Sequence, residues 1–267
     1  MVRNRLIFSL LYEDGNYNLS RNFRLQKVGN LDWVLENYDF DSIARSIDEL
    51  VVLDVSRSGK RDANSLSNEL QRLGRNCFMP FAVGGGIRTL DHALQLFKAG
   101  ADKVVINTAY FSNPCLIRDL GQIVGVQSIV ASIDYRVTPD GQRMVYINNG
   151  SEAAGHSLID AVKYVQDIGA GELYLTSIDN DGTGQGFDLE ALRIVASVCS
   201  IPVIASGGAG NHNHFGVALK SGLVSAVSTA NLFNFMGDGL ADARRSMFAD
   251  GIDLSSWDFS CIGLKVG

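Results

Sequence analysis

Two glycine runs could hold anions. Gly84-Gly85-Gly86 follows Pro80-Phe81-Ala82-Val83, and Ser206-Gly207-Gly208-Ala209-Gly210 follows Pro202-Val203-Ile204-Ala205. With no Cβ in the way, backbone N–H groups can approach a phosphate, and a helix that follows favours negative charge at its start. Asn107-Thr108 and Thr229-Ala230-Asn231 end two further apolar runs and add amide and hydroxyl donors. Two such loops point to a substrate with two phosphates; the other reading is that the glycines only make tight turns. Asp134 closes an apolar run, and a carboxylate at such a strand end can act as general acid or base, worth about 10²–10⁴ in rate. Asp54 and Asp181 could line the same mouth, although Asp179 and Asp181 also suit an Asx turn. His92, His156, His212 and His214 sit near expected helix starts and lack metal-ligand spacing. No Ser/His/Asp or Cys/His set can be assembled. No metal and no cofactor are expected, and no GxGxxG follows the first strand.

The elements that must position these residues alternate along the chain. Apolar or β-branched runs predict strands over 5–11, 49–55, 79–83, 102–107, 127–134, 171–177, 201–206 and 223–230. Amphipathic stretches over 62–74, 89–99, 112–123, 156–168, 188–199 and 211–221 predict helices between them. Eight such units in 267 residues predict one domain, residues 1–267, a (βα)₈ barrel with Asp134 at the C-terminal face where barrel chemistry occurs. Residues 12–30 and 135–150 read as two long connections. The chain also repeats. Pro80–Gly86 recurs as Pro202–Gly208, and Lys98–Gly100 as Lys220–Gly222, both 122 residues on. Glu49–Leu53 recurs as Glu172–Thr176, and Phe8–Tyr12 as Ala131–Tyr135, both 123 residues on. The barrel is therefore expected to be two half-barrels. By that repeat the counterpart of Asp134 is Leu11, whose side chain cannot transfer a proton. Four strands begin with a charge, Arg5, Glu49, Lys103 and Glu172, at the opposite end of the barrel. On spacing alone these favour a salt-bridged plug.

Composition narrows the function. Lys and Arg number 23 against 29 Asp and Glu, a net charge of −6, which argues against nucleic acid as a partner. No apolar run reaches the ~20 residues of a membrane span. Met1-Val2-Arg3-Asn4-Arg5-Leu6-Ile7-Phe8 reads as a first strand rather than a signal peptide. Cys77, Cys115, Cys199 and Cys261 are widely spaced, as expected of free thiols in a cytoplasmic protein.

Across its whole length the chain resembles the cyclase subunit of imidazole glycerol phosphate synthase (HisF). The likeness rests on Asp54, Val83–Arg88, Ala99–Lys103, Ile106-Asn107-Thr108, Ile133-Asp134, Gly169–Glu172, Leu175-Thr176-Ser177-Ile178-Asp179, Asp181-Gly182-Thr183 and Ile201–Gly210. It implies a barrel of the ribulose-phosphate-binding type with a glutaminase docked on its bottom face as a heterodimer. Ammonia would pass through the barrel to a bis-phosphorylated ribulosyl substrate. The family cyclises and cleaves that substrate to imidazole glycerol phosphate and an aminoimidazole carboxamide ribotide. The resemblance makes Arg5, Glu49, Lys103 and Glu172 an ammonia gate, Asp102 a glutaminase contact and Asp134 a catalytic residue. It gives Gly85, Gly86, Asn107, Thr108, Thr176, Asp181, Ser206, Gly207, Gly208, Ala230 and Asn231 to the substrate and its phosphates. The family uses two aspartates, and Leu11 stands where the first belongs; Leu19 stands where the closing loop has a lysine. A divergent branch matches both departures: there the barrel, with a third protein, supplies ammonia for an amidino group on a bacterial surface sugar. The competing readings are a barrel that only activates the glutaminase and conducts ammonia, and the related isomerase of the same pathway, which needs no glutaminase.

Overall fold

The computed structural model describes residues 3–37, 43, 45–57, 63–74, 79–231 and 238–255. Met1, Val2, residue 62, Cys77 and Cys261 lie outside the described residues; Cys115 and Cys199 are free thiols. The strands are β1 (Arg5–Glu13), β2 (Asn16–Arg21), β3 (Arg24–Gly29), β4 (Glu49–Asp54), β5 (Phe81–Gly84), β6 (Lys103–Ile106), β7 (Ile129–Val137), β8 (Arg143–Ile147), β9 (Glu152–Ser157), β10 (Glu172–Ser177), β11 (Val203–Ser206) and β12 (Ala226–Thr229). Parallel pairing runs β1–β4–β5–β6–β7–β10–β11–β12 and returns to β1. Eight parallel strands thus close into a barrel with no free edge, and helices pack around it. All eight expected strands are present, each end within three residues of the sequence reading. Among the described residues no helix is long and apolar enough to cross a membrane.

The two long connections are hairpins rather than loops. After β1 the chain turns at Asp14 and Gly15, both with positive φ, into β2, which pairs with β1 and with β3. After β7 it forms β8 and β9, joined through Asn148, Asn149 and Gly150, all at positive φ. Consecutive positive φ values give turns whose twist matches that of the flanking strands. Two helix expectations also change. The stretch over 112–123 is two helices, Thr108–Ser112 and Pro114–Val124, because Pro114 opens a new helix that Asn113 caps. His156 lies in β9, and the helix after it, Leu158–Ile168, starts at the Ser157 cap. Helices Leu31–Asn37 and Gly239–Ala249 were not expected.

Strand alternation sorts side chains into a barrel interior and an outer shell. Inside, Ile7, Val51, Ala82, Val105, Val130, Tyr174, Ile204 and Ala226 form a closed cluster separate from the larger strand–helix core. Along β1 the inward row reads Arg5, Ile7, Ser9, Leu11; along β10 it reads Glu172, Tyr174, Thr176. The half-barrel repeat holds in the pairing: Leu11 stands opposite Leu53, and Asp134 opposite Thr176.

The helix Gly239–Ala249 is tied to the barrel by a buried ion pair. Arg244 donates from both terminal nitrogens to Asp48, at 2.9 and 3.0 Å, just ahead of β4. Asp48 also accepts from the Leu6 amide at 2.8 Å. Removing one member leaves the other charged and buried, so Arg244→Ala is expected to cost about 3–5 kcal/mol. Urea denaturation checks this; an unchanged midpoint would show that the pair does not hold the helix.

Candidate active site

A cavity of about 580 Å³ opens at the C-terminal ends of the barrel strands. Each half of the chain supplies part of its wall. The first gives Leu11, Leu53, Asp54, Gly85, Gly86, Arg88, Asn107 and Thr108; the second gives Ser132, Asp134, Tyr174, Thr176, Asp181, Ser206 and Ala230. The hairpins close over the rim, contributing Ser20, Phe23 and Leu25 from one and Asn148, Asn149 and Ser151 from the other.

Burial raises the pKa of two sequence-nominated carboxylates that line the cavity, Asp134 and Asp181. Burial pushes that of Asp134 up to about 7; hydrogen bonds from Thr176 and Ser132 oppose the shift, and the charge of Asp181 adds to it. A carboxyl poised near neutrality holds and releases protons with little bias. Asn107 orients it, donating to Asp134 Oδ2 at 3.2 Å and to the Ser132 carbonyl at 3.1 Å. Asp54 accepts from the Ser56 amide at 2.9 Å and shapes the turn after β4. Asp181 does not make an Asx turn of its own. It anchors the first hairpin, accepting from Ser20 Oγ at 2.5 Å and from the Phe23 amide at 3.1 Å. Asn22 adds bonds to the Asp181 and Asp179 carbonyls at 2.9 and 2.7 Å. Leu19 packs against the apolar core.

The two glycine loops differ. Gly85 and Gly86 line the cavity next to Arg88 and the Thr108 hydroxyl. That hydroxyl accepts from the Asn148 amide at 3.1 Å. Of the second glycine loop and the strand end beside it, Ser206 and Ala230 reach the wall, while Gly207, Gly208 and Asn231 do not line this cavity. Gly208 is covered by the segment after β10, its carbonyl accepting from the Gly186 amide at 2.8 Å. Gly85 also has a purely steric reason: a Cβ there would sit 2.0 Å from the Asp54 carbonyl oxygen, at a φ of +104°. The tight-turn reading therefore holds for part of each run, and the first loop is the one whose glycines line this cavity.

At the other end of the barrel the four charges form a closed ring. Arg5 bonds Glu49 at 2.7 Å and also bonds Glu172, while Lys103 stands 3.0 Å from both carboxylates. Glu49 and Glu172 are nearly inaccessible, their side chains 3% and 6% exposed. Burial pushes the Glu49 carboxyl up, against the pull of Lys103 and Arg5. Burial opposes the Arg5 charge, but its bonds to Glu172 and Glu49 outweigh it and raise its pKa. Next to the ring, exposed Asp102 accepts from the Phe81 amide at 2.8 Å. Among the described residues no three His, Cys, Asp or Glu side chains gather as a metal site.

The family model for histidine biosynthesis proteins matches residues 37–237. The chain belongs to this family. A protein of Parasynechococcus marenigrum, provisionally named imidazole glycerol phosphate synthase subunit hisF2, is 41% identical over 244 residues, covering 91% of this chain and 90% of the relative. The imidazole glycerol phosphate synthase subunit HisF of Streptococcus mutans is 36% identical over 256 residues, covering 95% of this chain and 100% of its own length. That of Leptospira biflexa is 41% identical over 207 residues, covering 77% and 80%. Within this family frame, Arg57, Asn148 and Asn149 are cavity residues that the motifs did not reveal. Asn148-Asn149-Gly150, a turn signal, was the available cue for the second hairpin.

The Asp134 shift has a consequence for stability. Its pKa in the folded chain lies above the ordinary 3.8. The folded state therefore binds more protons than the unfolded state between about pH 4 and 7, and stability falls as pH rises through that window. Above it, the ionised carboxylate costs on the order of a few kcal/mol. Asp134→Asn is expected to raise Tm at pH 8 by several degrees, at about 2 °C per kcal/mol, and to lose that gain by pH 4. A lower or unchanged Tm at pH 8 would contradict the assignment.

Proposed function

We propose that this chain is the ammonia-accepting synthase subunit of a cytoplasmic glutamine amidotransferase, paired with a glutaminase and acting on a phosphorylated acceptor. The observation that carries this reading is a matched pair of ends. The closed ring of Arg5, Glu49, Lys103 and Glu172 and the carboxyl of Asp134 lie at opposite ends of one barrel interior. Ammonia must travel neutral to act as a nucleophile; a net-neutral ring whose two carboxylates are already paired leaves ammonium no free anion, while its ion pairs can part for a small neutral molecule. Exposed Asp102 beside Lys103 gives the glutaminase a polar contact at the entrance. At the exit, Asp134 moves a proton at the acceptor, Asn107 holds its carboxyl, and Gly85, Gly86, Thr108 and Arg88 form an anion cradle.

The acceptor differs from that of an ordinary cyclase. Leu11 occupies the position equivalent to Asp134 and lines the same cavity, so one half of a two-carboxylate arrangement is apolar. Leu19 and the hisF2 name of one relative agree with a divergent branch. The acceptor proposed is a sugar destined for a surface polysaccharide, amidinated with a third protein. The conduit reading, a barrel that activates the glutaminase without chemistry of its own, is disfavoured by the tuned carboxyl of Asp134.

The purified chain, given ammonium chloride and the bis-phosphorylated substrate of the histidine pathway, tests the proposal. Wild type is expected to bind the substrate and turn it over slowly, Leu11→Asp to be at least about tenfold faster, and Asp134→Asn to be inactive. Ordinary turnover by wild type, unimproved by Leu11→Asp, would place the chain in the histidine pathway instead. Ammonia incorporation that survives Asp134→Asn in the complex would favour the conduit.

A further inference from the structure

Between the ring and Asp134 the barrel interior holds a hydroxyl cluster that the reading above does not use. Tyr174 shares its layer with seven aliphatic side chains. From β10 its ring reaches past β11 and β12 to β1, three strands round the barrel. The phenol oxygen lies 2.9 Å from both Ser9 Oγ and Ser228 Oγ, which are 2.7 Å from each other, and Ser206 Oγ donates to it at 3.1 Å. Ser9, Ser228 and Tyr174 are buried, while Tyr174 and Ser206 also face the cavity.

Proton counting shows what this cluster can accept. Each hydroxyl has one proton and two lone pairs. The four contacts use all four protons. Tyr174 receives from Ser206, receives from one serine and donates to the other, so the three-membered ring is cyclic. Lone pairs remain on Ser9, Ser228 and Ser206. The cluster therefore has no donor to spare and several acceptors, and a ligand that satisfies it must bring hydrogen-bond donors. At the other end, Arg5 Nε is buried with no hydrogen-bond partner, an idle donor inside the charged ring. A small neutral molecule with one lone pair and several N–H groups matches both, accepting at Arg5 and donating at the serines.

We propose that the hydroxyls of Tyr174 and Ser206, backed by Ser9 and Ser228, form a station where one neutral ammonia molecule is held on the cavity floor beside Asp134. The station rests on the ammonia reading and deepens it. Tyr174 is a positioning residue: its hydroxyl orders the serines, and its ring divides the apolar lower barrel from the wet cavity. Hydroxyls suit the task because they hold ammonia without protonating it, as a carboxylic acid would.

Two measurements test this. In crystals of the chain soaked in methylamine, which is distinguishable from water by its methyl group, the nitrogen is expected within hydrogen-bond distance of Ser206 Oγ or the Tyr174 oxygen. It is expected to be absent in Tyr174→Phe, which keeps the ring. In assays with free ammonium and the bis-phosphorylated substrate, Tyr174→Phe is expected to raise the KM for ammonia about tenfold with kcat within about twofold, the effect of about one hydrogen bond. Ser206→Ala should act in the same direction. Methylamine absent from the wild-type cluster, or equally bound in Tyr174→Phe, would overturn the station, as would an unchanged KM for ammonia. A wild-type chain inert toward that substrate would count against the reading of function alone, and the crystals would then decide the station.

Discussion

Two buried carboxylates, each held by two partly buried cations at the base of the barrel, constrain everything above them. Each cation touches both carboxylates and each carboxylate touches both cations. No single member can leave water in this way without the others, because an unpaired buried charge costs several kcal/mol. The ring is assembled from four strands brought together by closure of the sheet, so it fixes which side of β1, β4, β6 and β10 faces inward. A one-residue slip in any of them would turn its charge outward. The same alternation then places Tyr174 two residues above Glu172, Ser9 four above Arg5, and Leu11 and Asp134 at the rim. The charged ring, the hydroxyl cluster and the carboxyl are successive layers of one periodic pattern.

Symmetry built this barrel and asymmetry gives it a direction. Hairpins follow the first strand of both halves, and Leu11 and Asp134 occupy equivalent places in the pairing. Their chemistry is not equivalent. On the first side the place equivalent to Asp134 is apolar, Leu11 beside Leu53, and a glycine loop lines the cavity. On the second it carries Asp134, Thr176 and Ser206, and its glycine loop is covered from behind by the Gly186 segment. Asp181 spends its carboxylate on lashing the first hairpin across the mouth. The two halves are therefore joined across the mouth through Asp181, which also lines the cavity.

Much of this was visible in the amino-acid order because parallel barrel strands are buried on both faces and read as short apolar runs bounded by Gly and Pro. Glu49–Asp54 and Glu172–Ser177 are apolar runs that each begin with a charge, and Asp54 adds a second at the end of the first. The charges at strand starts could be found, but their pairing spans 44 to 167 residues and depends on closure. The first hairpin was missed because Asn16–Arg21 and Arg24–Gly29 are polar strands with little alternation, leaving Asp14-Gly15 as its turn signal. Asp134 was legible from its place after an apolar run. Arg57, Asn148 and Asn149 were not, since residues on loops carry no periodicity. Tyr174 looks like one more apolar strand residue until the serines of three other strands surround its hydroxyl.

The central claim is that nitrogen moves along the barrel interior from ring to Asp134 without entering bulk solvent. The direct measurement uses the chain in complex with its glutaminase, glutamine labelled with ¹⁵N in the amide, and a large excess of unlabelled ammonium. If the interior is the route, the product carries ¹⁵N essentially undiluted. A product whose label falls to the isotope ratio of the bulk ammonium would mean that ammonia reaches the cavity from outside, and that the ring and the interior above it serve only to hold the barrel together.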